Sequence, residues 1–261
     1  MRAPVFVFLR KEMREILRTS KIYVLPSLFL FFGFSSPLLA KLTPELIKLA
    51  GENTSGVKII LTAEPTALHA WQQLLKNLGT GLLVIILVFM GTVLDERLRG
   101  TTVPVLTKPL KRAEFIWAKF ASAALLVTLS TFLAALAGTY YTLILWPARP
   151  EIVPGIQAVF LFWIYALFTT ALAVLSSTLA KNSMLAAGGA AACHLLLSVL
   201  ASLGGRFAAY NPGGLMAQAS KLIAPDPHAA FADSRPTVVL TILATLFLIW
   251  LAGSIFRRQE L

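Results

Sequence analysis

The chain is expected to be an all-α polytopic membrane protein with six transmembrane helices, an N-terminal interfacial helix and both termini cytoplasmic. Three features carry that expectation. Of 261 residues, 57% are hydrophobic and 13% charged, against about 45–50% and about 25% in ordinary soluble domains. Six runs approach the roughly 20 apolar residues that a helix needs to cross the hydrocarbon. The Lys and Arg residues also fall unevenly on the two sides that a six-span path defines. The runs are continuous rather than alternating, which argues against a transmembrane β-barrel.

Residues 3–21 read as an amphipathic helix. Phe6, Leu9, Met13, Ile16 and Leu17 line one face, while Arg10, Lys11, Arg14, Arg18 and Lys21 line much of the rest. That pattern suits a helix lying in the headgroup layer. Basic residues before an apolar run also mimic a signal peptide. A cut after Ala40 would put Leu38 where a small residue is needed, so the first span is read as retained.

The spans are expected at about 22–40, 70–94, 120–146, 156–180, 183–205 and 236–256, in a single transmembrane domain covering 1–261. The second begins before its purely apolar stretch, because Ala70, Trp71, Leu74, Leu75 and Leu78 form a helical stripe. The third is long enough to bend, and Gly138 is the candidate position. Lys181-Asn182 is almost the whole link between the fourth and fifth, which therefore form an antiparallel hairpin. In the fifth, Gly188 and Ala192 are small residues four apart. They permit close helix approach, within the chain or across a seam with a second copy.

Orientation follows from the basic residues. The side holding both termini, residues 95–119 and Lys181 carries 15 Lys and Arg; the other, taken as residues 41–77 (with Lys76), 147–155 and 206–235, carries 8. The richer side is cytoplasmic. The outer segments are 41–69 and 206–235. Thr43-Pro44-Glu45 reads as a helix start, with an N-cap Thr and Pro at the first helical position. Val57–Leu61 reads as extended, and Asn53-Thr54-Ser55 fits a glycosylation acceptor. A short helix is expected near Leu215–Ile223, among Gly and Pro turns.

The net charge of +11 suits anionic membrane lipid rather than nucleic acid, because it lies beside the apolar spans. The single cysteine, Cys193, excludes an intramolecular disulfide. No P-loop, Gly-x-Ser-x-Gly or His-Glu-x-x-His motif occurs. His194 and Ser198 stand four apart on one helix, which leaves a membrane hydrolase as an alternative. His69, His228 and Asp226 do not form a legible metal set, and no metal, catalytic residue or cofactor is assigned. Tyr140, Tyr141 and Tyr165 are candidate pathway residues, although Tyr140 and Tyr141 equally suit an interfacial aromatic belt. Phe160, Phe162, Trp163 and Phe168 make the fourth span aromatic and tilt the cargo toward a hydrophobic or amphiphilic molecule.

The stretch Asp95–Lys119 stands apart, with nine of its 25 residues charged. Gly100 permits a turn. Pro109 can open a short helix presenting Leu110, Phe115 and Ile116 beside Lys111 and Arg112, a plug for a groove on a soluble partner. Here the chain resembles the permease subunit of an ABC-2 type ATP-binding cassette transporter. The resemblance rests on the basic N-terminal helix, the six spans, and Glu96, Gly100-Thr101, Leu106-Thr107-Lys108-Pro109, Arg112 and Lys119. It departs from the family's pattern at Thr102-Val103-Pro104 and Ala118.

The resemblance implies a division of labour. Two cytoplasmic ABC ATPase subunits would carry ATP and Mg, so this chain itself would be no enzyme. A second permease copy or close relative would complete a pathway, in an exporter of the plasma or inner membrane. The helix near 109–117 would be the coupling helix. Lys108, Pro109, Lys111, Arg112 and Glu114 would serve ATPase coupling, braced by Glu96 and Arg99. An energy-independent channel or assembly factor is the remaining alternative.

Overall fold

The computed structural model describes residues 4–52, 65–98, 100, 112–205, 210–224 and 230–258. The helices are α1 (Pro4–Arg18), α2 (Lys21–Glu52), α3 (Ala67–Phe89), α4 (Leu94–Leu98), α5 (Arg112–Leu145), α6 (Ile152–Leu179), α7 (Ser183–Ser202), α8 (Gly214–Leu222) and α9 (Arg235–Arg258), with a 3-10 turn at Phe231–Ser234. No strand occurs among the described residues. Among the described residues, six helices are long and apolar enough to cross a membrane: Lys21–Glu45, Ala67–Leu98, Arg112–Leu145, Ile152–Leu179, Ser183–Ser202 and Phe231–Arg258. Val57–Leu61 and Asn53-Thr54-Ser55 lie outside the described residues.

Helix α6 is the centre of the bundle. Its sequence is apolar nearly all round, which suits a helix surrounded by protein. Leu161, Phe162, Tyr165, Ala166, Ala171, Ala173 and Val174 are all fully buried, and α3, α5, α7, α8 and α9 pack around it. The aromatic side chains Phe162, Tyr165 and Phe168 are therefore core, so they do not form the expected pathway surface.

Helix α2 packs along α5 and α3. A Cβ on Gly33 would stand 2.6 Å from the Ala134 carbonyl oxygen and 2.8 Å from the Ala137 Cβ, so the two backbones meet there. Gly138 serves the same contact. Its absent side chain leaves room for Leu74 of α3, whose Cδ2 would lie 2.8 Å from an added Cβ. Close helix approach is the use the bundle makes of this position.

The expected helix start at Thr43-Pro44-Glu45 is corrected, because α2 runs through it to Glu52. The Thr43 hydroxyl donates to the Leu39 carbonyl 2.6 Å away, a partner that lies one turn back only inside a helix. The fixed φ of Pro44 fits helical backbone, and a helix tolerates one missing N–H.

Helix α7 turns Ala186, Ala190 and His194 inward and leaves Met184, Leu185 and Leu196 exposed. Gly188 and Ala192 are on the exposed side, and a Cβ on Gly188 would meet open space. Close packing of these two within the chain is thus overturned. The side chain of Asn182 caps the helix, accepting from the Leu185 N–H at 2.8 Å.

Gly155 at the start of α6 gives the sharpest constraint. An added Cβ would stand 2.2 Å from the indole of Trp71, whose Nε1 donates to the Pro150 carbonyl at 3.2 Å. Gly155→Ala should therefore expel Trp71 from its seat and cost about 1–3 kcal/mol. A lowered thermal midpoint in detergent checks this. Gly188→Ala, in open space, should leave the midpoint unchanged or slightly raised.

Candidate functional site

The charged residues of three separate segments converge at one end of the bundle. Helix α1 supplies Lys11, Glu12 and Glu15; α4, which continues the second span, supplies Glu96; the start of α5 supplies Lys119. Lys119 Nζ lies 3.0 Å from Glu12 Oε2 and 3.1 Å from Glu96 Oε1. Lys11 Nζ lies 2.7 Å from the same Glu96 oxygen, 2.9 Å from Glu12 Oε1 and 2.9 Å from Glu15 Oε2. The side chains of Lys119 and Glu12 are only 2% and 6% exposed.

Local sequence explains how a carboxylate comes to be buried on a surface helix. Phe8, Glu12 and Ile16 recur every four residues and form the buried face of α1. Phe8 packs on Phe115, and Phe115 stacks on Phe256, each pair at 5.2 Å between centroids. The aromatic contact fixes α1 against α5 and α9, and Glu12 is carried in one turn away. The expected apolar face is thereby split. Ile16 points inward, while Phe6 and Leu17 remain exposed.

Burial opposes the charge of Lys11, but its bonds to Glu96, Glu12 and Glu15 outweigh that and hold the ammonium above the usual lysine range. Burial likewise pushes the Glu15 carboxyl up, and the Lys11 bond and charge outweigh it, so the carboxyl is held below the usual range. Beside the cluster is a cavity of about 390 Å³, walled also by Lys21, Thr92 and Asp95. Carboxylate oxygens of Glu12, Glu15 and Glu96 lie within 4.8 Å of one another. That spacing would suit a cation, but two ammonium groups already bond these carboxylates.

A second set of bonds ties this end to α6. Ser177 Oγ accepts from the backbone N–H groups of Val93 and Leu94, at 3.0 and 3.1 Å. The guanidinium of Arg97 donates to the carbonyls of Thr178, at 3.0 Å, and Ala180. The donors at the start of α4 and the acceptors at the end of α6 are orphans of their helix termini, and each finds its partner in the other segment.

Of the residues expected to serve coupling, Glu96 is in the cluster. Arg112 opens α5 and donates to the Arg257 carbonyl at 3.0 Å, and Glu114 lies in the first turn of α5. Arg99, Lys108, Pro109 and Lys111 lie outside the described residues. Residues 112–117 begin the long α5 rather than a separate helix. Phe115 and Ile116 are fully buried, so the apolar plug expected there is overturned for these two.

The tyrosines are dispersed. Tyr140 is exposed beside Tyr141, which faces Phe34. Tyr165 is buried, its hydroxyl 3.0 Å from His194 Nδ1. Ser198 donates to the His194 carbonyl, at 3.0 Å, rather than to the imidazole. The Ser–His pairing behind the hydrolase alternative is not made. His69 lies at the opposite end, accepting at Nδ1 from the Thr66 N–H; His228 and Asp226 are outside the described residues.

Sequence reasoning missed Lys11, Glu12 and Arg97 as partners. The available signal was an acid flanked four residues away on each side by Phe8 and Ile16, on a helix with more basic than acidic residues.

The family model for ABC-2 family transporter proteins matches residues 6–261, and the chain belongs to that family of transporter permeases. The chain is similar to the uncharacterized transmembrane protein YxlG of Bacillus subtilis (strain 168), with 26% identity over 265 residues, covering 98% of each.

Removing one partner of a buried ion pair strands the other. Lys119→Met should cost about 3–5 kcal/mol, and Glu12→Gln combined with Lys119→Met should cost less than Lys119→Met alone. Thermal melts of the parent and the two variants check the order. Glu15 has a lowered folded-state pKa, so its contribution is present above the ordinary glutamate range, about 4.3, and is lost as pH falls through the folded value. The acid-side fall in melting temperature should accordingly be shallower in Glu15→Gln than in the parent.

Proposed function

We propose that the chain is the membrane subunit of an ATP-driven ABC-2 type exporter, in which separate cytoplasmic ATPases supply the energy. The end bearing the ion cluster faces the cytoplasm, in agreement with its excess of Lys and Arg. Helix α1 lies in the headgroup layer of the plasma or inner membrane. Exposed Phe6 and Leu17 meet acyl chains, and Arg10, Arg14 and Arg18, exposed along one side, meet anionic lipid.

One observation carries the coupling role: the segment between the second and third spans is clamped at both ends by desolvated bonds. Glu96 and Arg97 hold its start to α1, α5 and α6, and Lys119 holds its end to α1. A force on that segment cannot be absorbed locally, so it is delivered to α1 and to three spans together. Two ATPase subunits docking there, through Lys108, Pro109, Lys111, Arg112 and Glu114, would use ATP and Mg to work this lever. A second permease copy or close relative would complete the pathway, and the outward Gly188 and Ala192 of α7 suit such a seam.

The test is purification of the chain from membranes of a host that also expresses ABC ATPases from the same genome. An ATPase should remain bound and hydrolyse ATP with vanadate sensitivity. Lys111→Glu or Glu114→Lys should lower its retention several-fold at matched salt, because interface charges govern docking. Absence of any bound ATPase, with vesicles of the chain alone still conducting solute, would favour an energy-independent channel.

A further inference from the structure

The second span carries a polar face at the end opposite the ion cluster. Gln72, Lys76 and Thr80 recur every four residues, and Gln73 and Asn77 run beside them. All five lie inside the continuous helix α3, and none is buried. The opposite face of the same turns, Trp71, Leu74, Leu75 and Leu78, is fully packed.

The helix length locates this face relative to the bilayer. Counting back from Leu94, where the charged end begins, about 20 residues at about 1.5 Å each cover the hydrocarbon and reach Leu75. Lys76, Asn77 and Thr80 are thus at its edge or within it. A single lysine there could snorkel to the headgroups. The amides of this face have partners in the bundle, Gln73 donating to Asn77 Oδ1 at 3.4 Å and Asn77 to Ser36 Oγ at 2.9 Å, so the Lys76 ammonium is the group left to meet an occupant.

Two adjoining cavities, of about 220 and 230 Å³, share Gln72 and Lys76 as walls. They differ in character. The first continues past Gln73, His69 and Thr43. The second is closed by Leu75, Met216 and Ile223, and the Gln72 amide, donating to the Ile223 carbonyl at 3.1 Å, fixes the partition between them. Lys76 forms no salt bridge among the described residues. A cation therefore stands between a polar recess and an apolar one.

We infer that this groove binds an anionic amphiphile, with its phosphate or carboxylate on Lys76 and its tail along the recess beside Met216. The assignment of that amphiphile as cargo rests on the transporter reading above; the binding itself does not. The ammonium supplies the charge, and no carboxylate is among the described residues that wall either cavity.

The test uses the full chain alone in nanodiscs of zwitterionic lipid, without any ATPase, so it stands apart from the transporter reading. Radiolabelled dodecyl phosphate should bind saturably. Lys76→Gln should weaken it about tenfold or more, Lys76→Arg should retain it, and Lys41→Gln, which removes a charge outside the groove, should leave it unchanged. Inorganic phosphate and zwitterionic dodecyl phosphocholine should not compete. Equal binding by Lys76→Gln, or equal competition by either probe, overturns the site. Displacement by phosphatidylglycerol added to the discs overturns the cargo role and assigns the groove to a bilayer lipid.

Discussion

Lys119 is fully buried at the base of the third span, and the charged end of the molecule is organised around neutralising it. An isolated ammonium out of water would cost several kcal/mol. Two carboxylates from different segments meet it, and each brings its own segment along. Glu12 holds α1 against the bundle, and Glu96 holds the end of the second span. Lys11 then spans both carboxylates from the solvent side. Such a cluster adds little net stability over an apolar core of the same shape. What it gives is register: these helices can meet in one arrangement, and any other leaves a buried charge unpaired.

The same end of the molecule is tied further by backbone groups. Backbone groups at the start of α4 and the end of α6 satisfy one another through Ser177 and Arg97, so the second and fourth spans are joined at the same level as the ion cluster. The Phe8–Phe115–Phe256 stack adds the last span. The second, third, fourth and sixth spans thus share one bonded end. Helix α7 stays outside this set and leaves most of its surface exposed. A displacement at the charged end moves the clamped spans against their surroundings rather than against each other.

The six crossings were legible because an apolar run near 20 residues is a one-dimensional signal. The buried stripe of Ala70, Trp71, Leu74, Leu75 and Leu78 was legible for the same reason. The ion cluster was only half visible. Glu96 and Lys119 stood out through the family pattern, but Glu12 depends on which way α1 rolls, and the Phe8–Phe115 contact decides that across about a hundred residues of chain. The helix start expected at Thr43 failed, and the packing use of Gly138 was missed, for a shared reason. Gly and Pro state what backbone they permit, and in a bundle the use of that permission is set by neighbours such as Leu74. The polar face of α3 was overlooked because Lys76 was counted as a loop charge. Its spacing with Gln72 and Thr80 was in the sequence throughout.

The two polar regions lie on one rod. From Lys76 to Glu96 the second span runs about 30 Å at about 1.5 Å per residue, so the groove and the ion cluster are at opposite ends of the same element. The rod is interrupted once, at the Met90–Val93 turn between α3 and α4. There Gly91 has no room for a side chain, because an added Cβ would stand within 2.7 Å of the Asp95 carboxylate. Below that turn α4 is bonded to α6 and the cluster; above it α3 carries Lys76. Coupling between remote sites needs a physical element whose arrangement both ends bias. On the proposal above, the second span would join an anion-binding groove at Lys76 to the clamped end at Glu96, with the Met90–Val93 turn as the interruption between them. A shift at the clamped end would then either bend that turn or reorient Lys76.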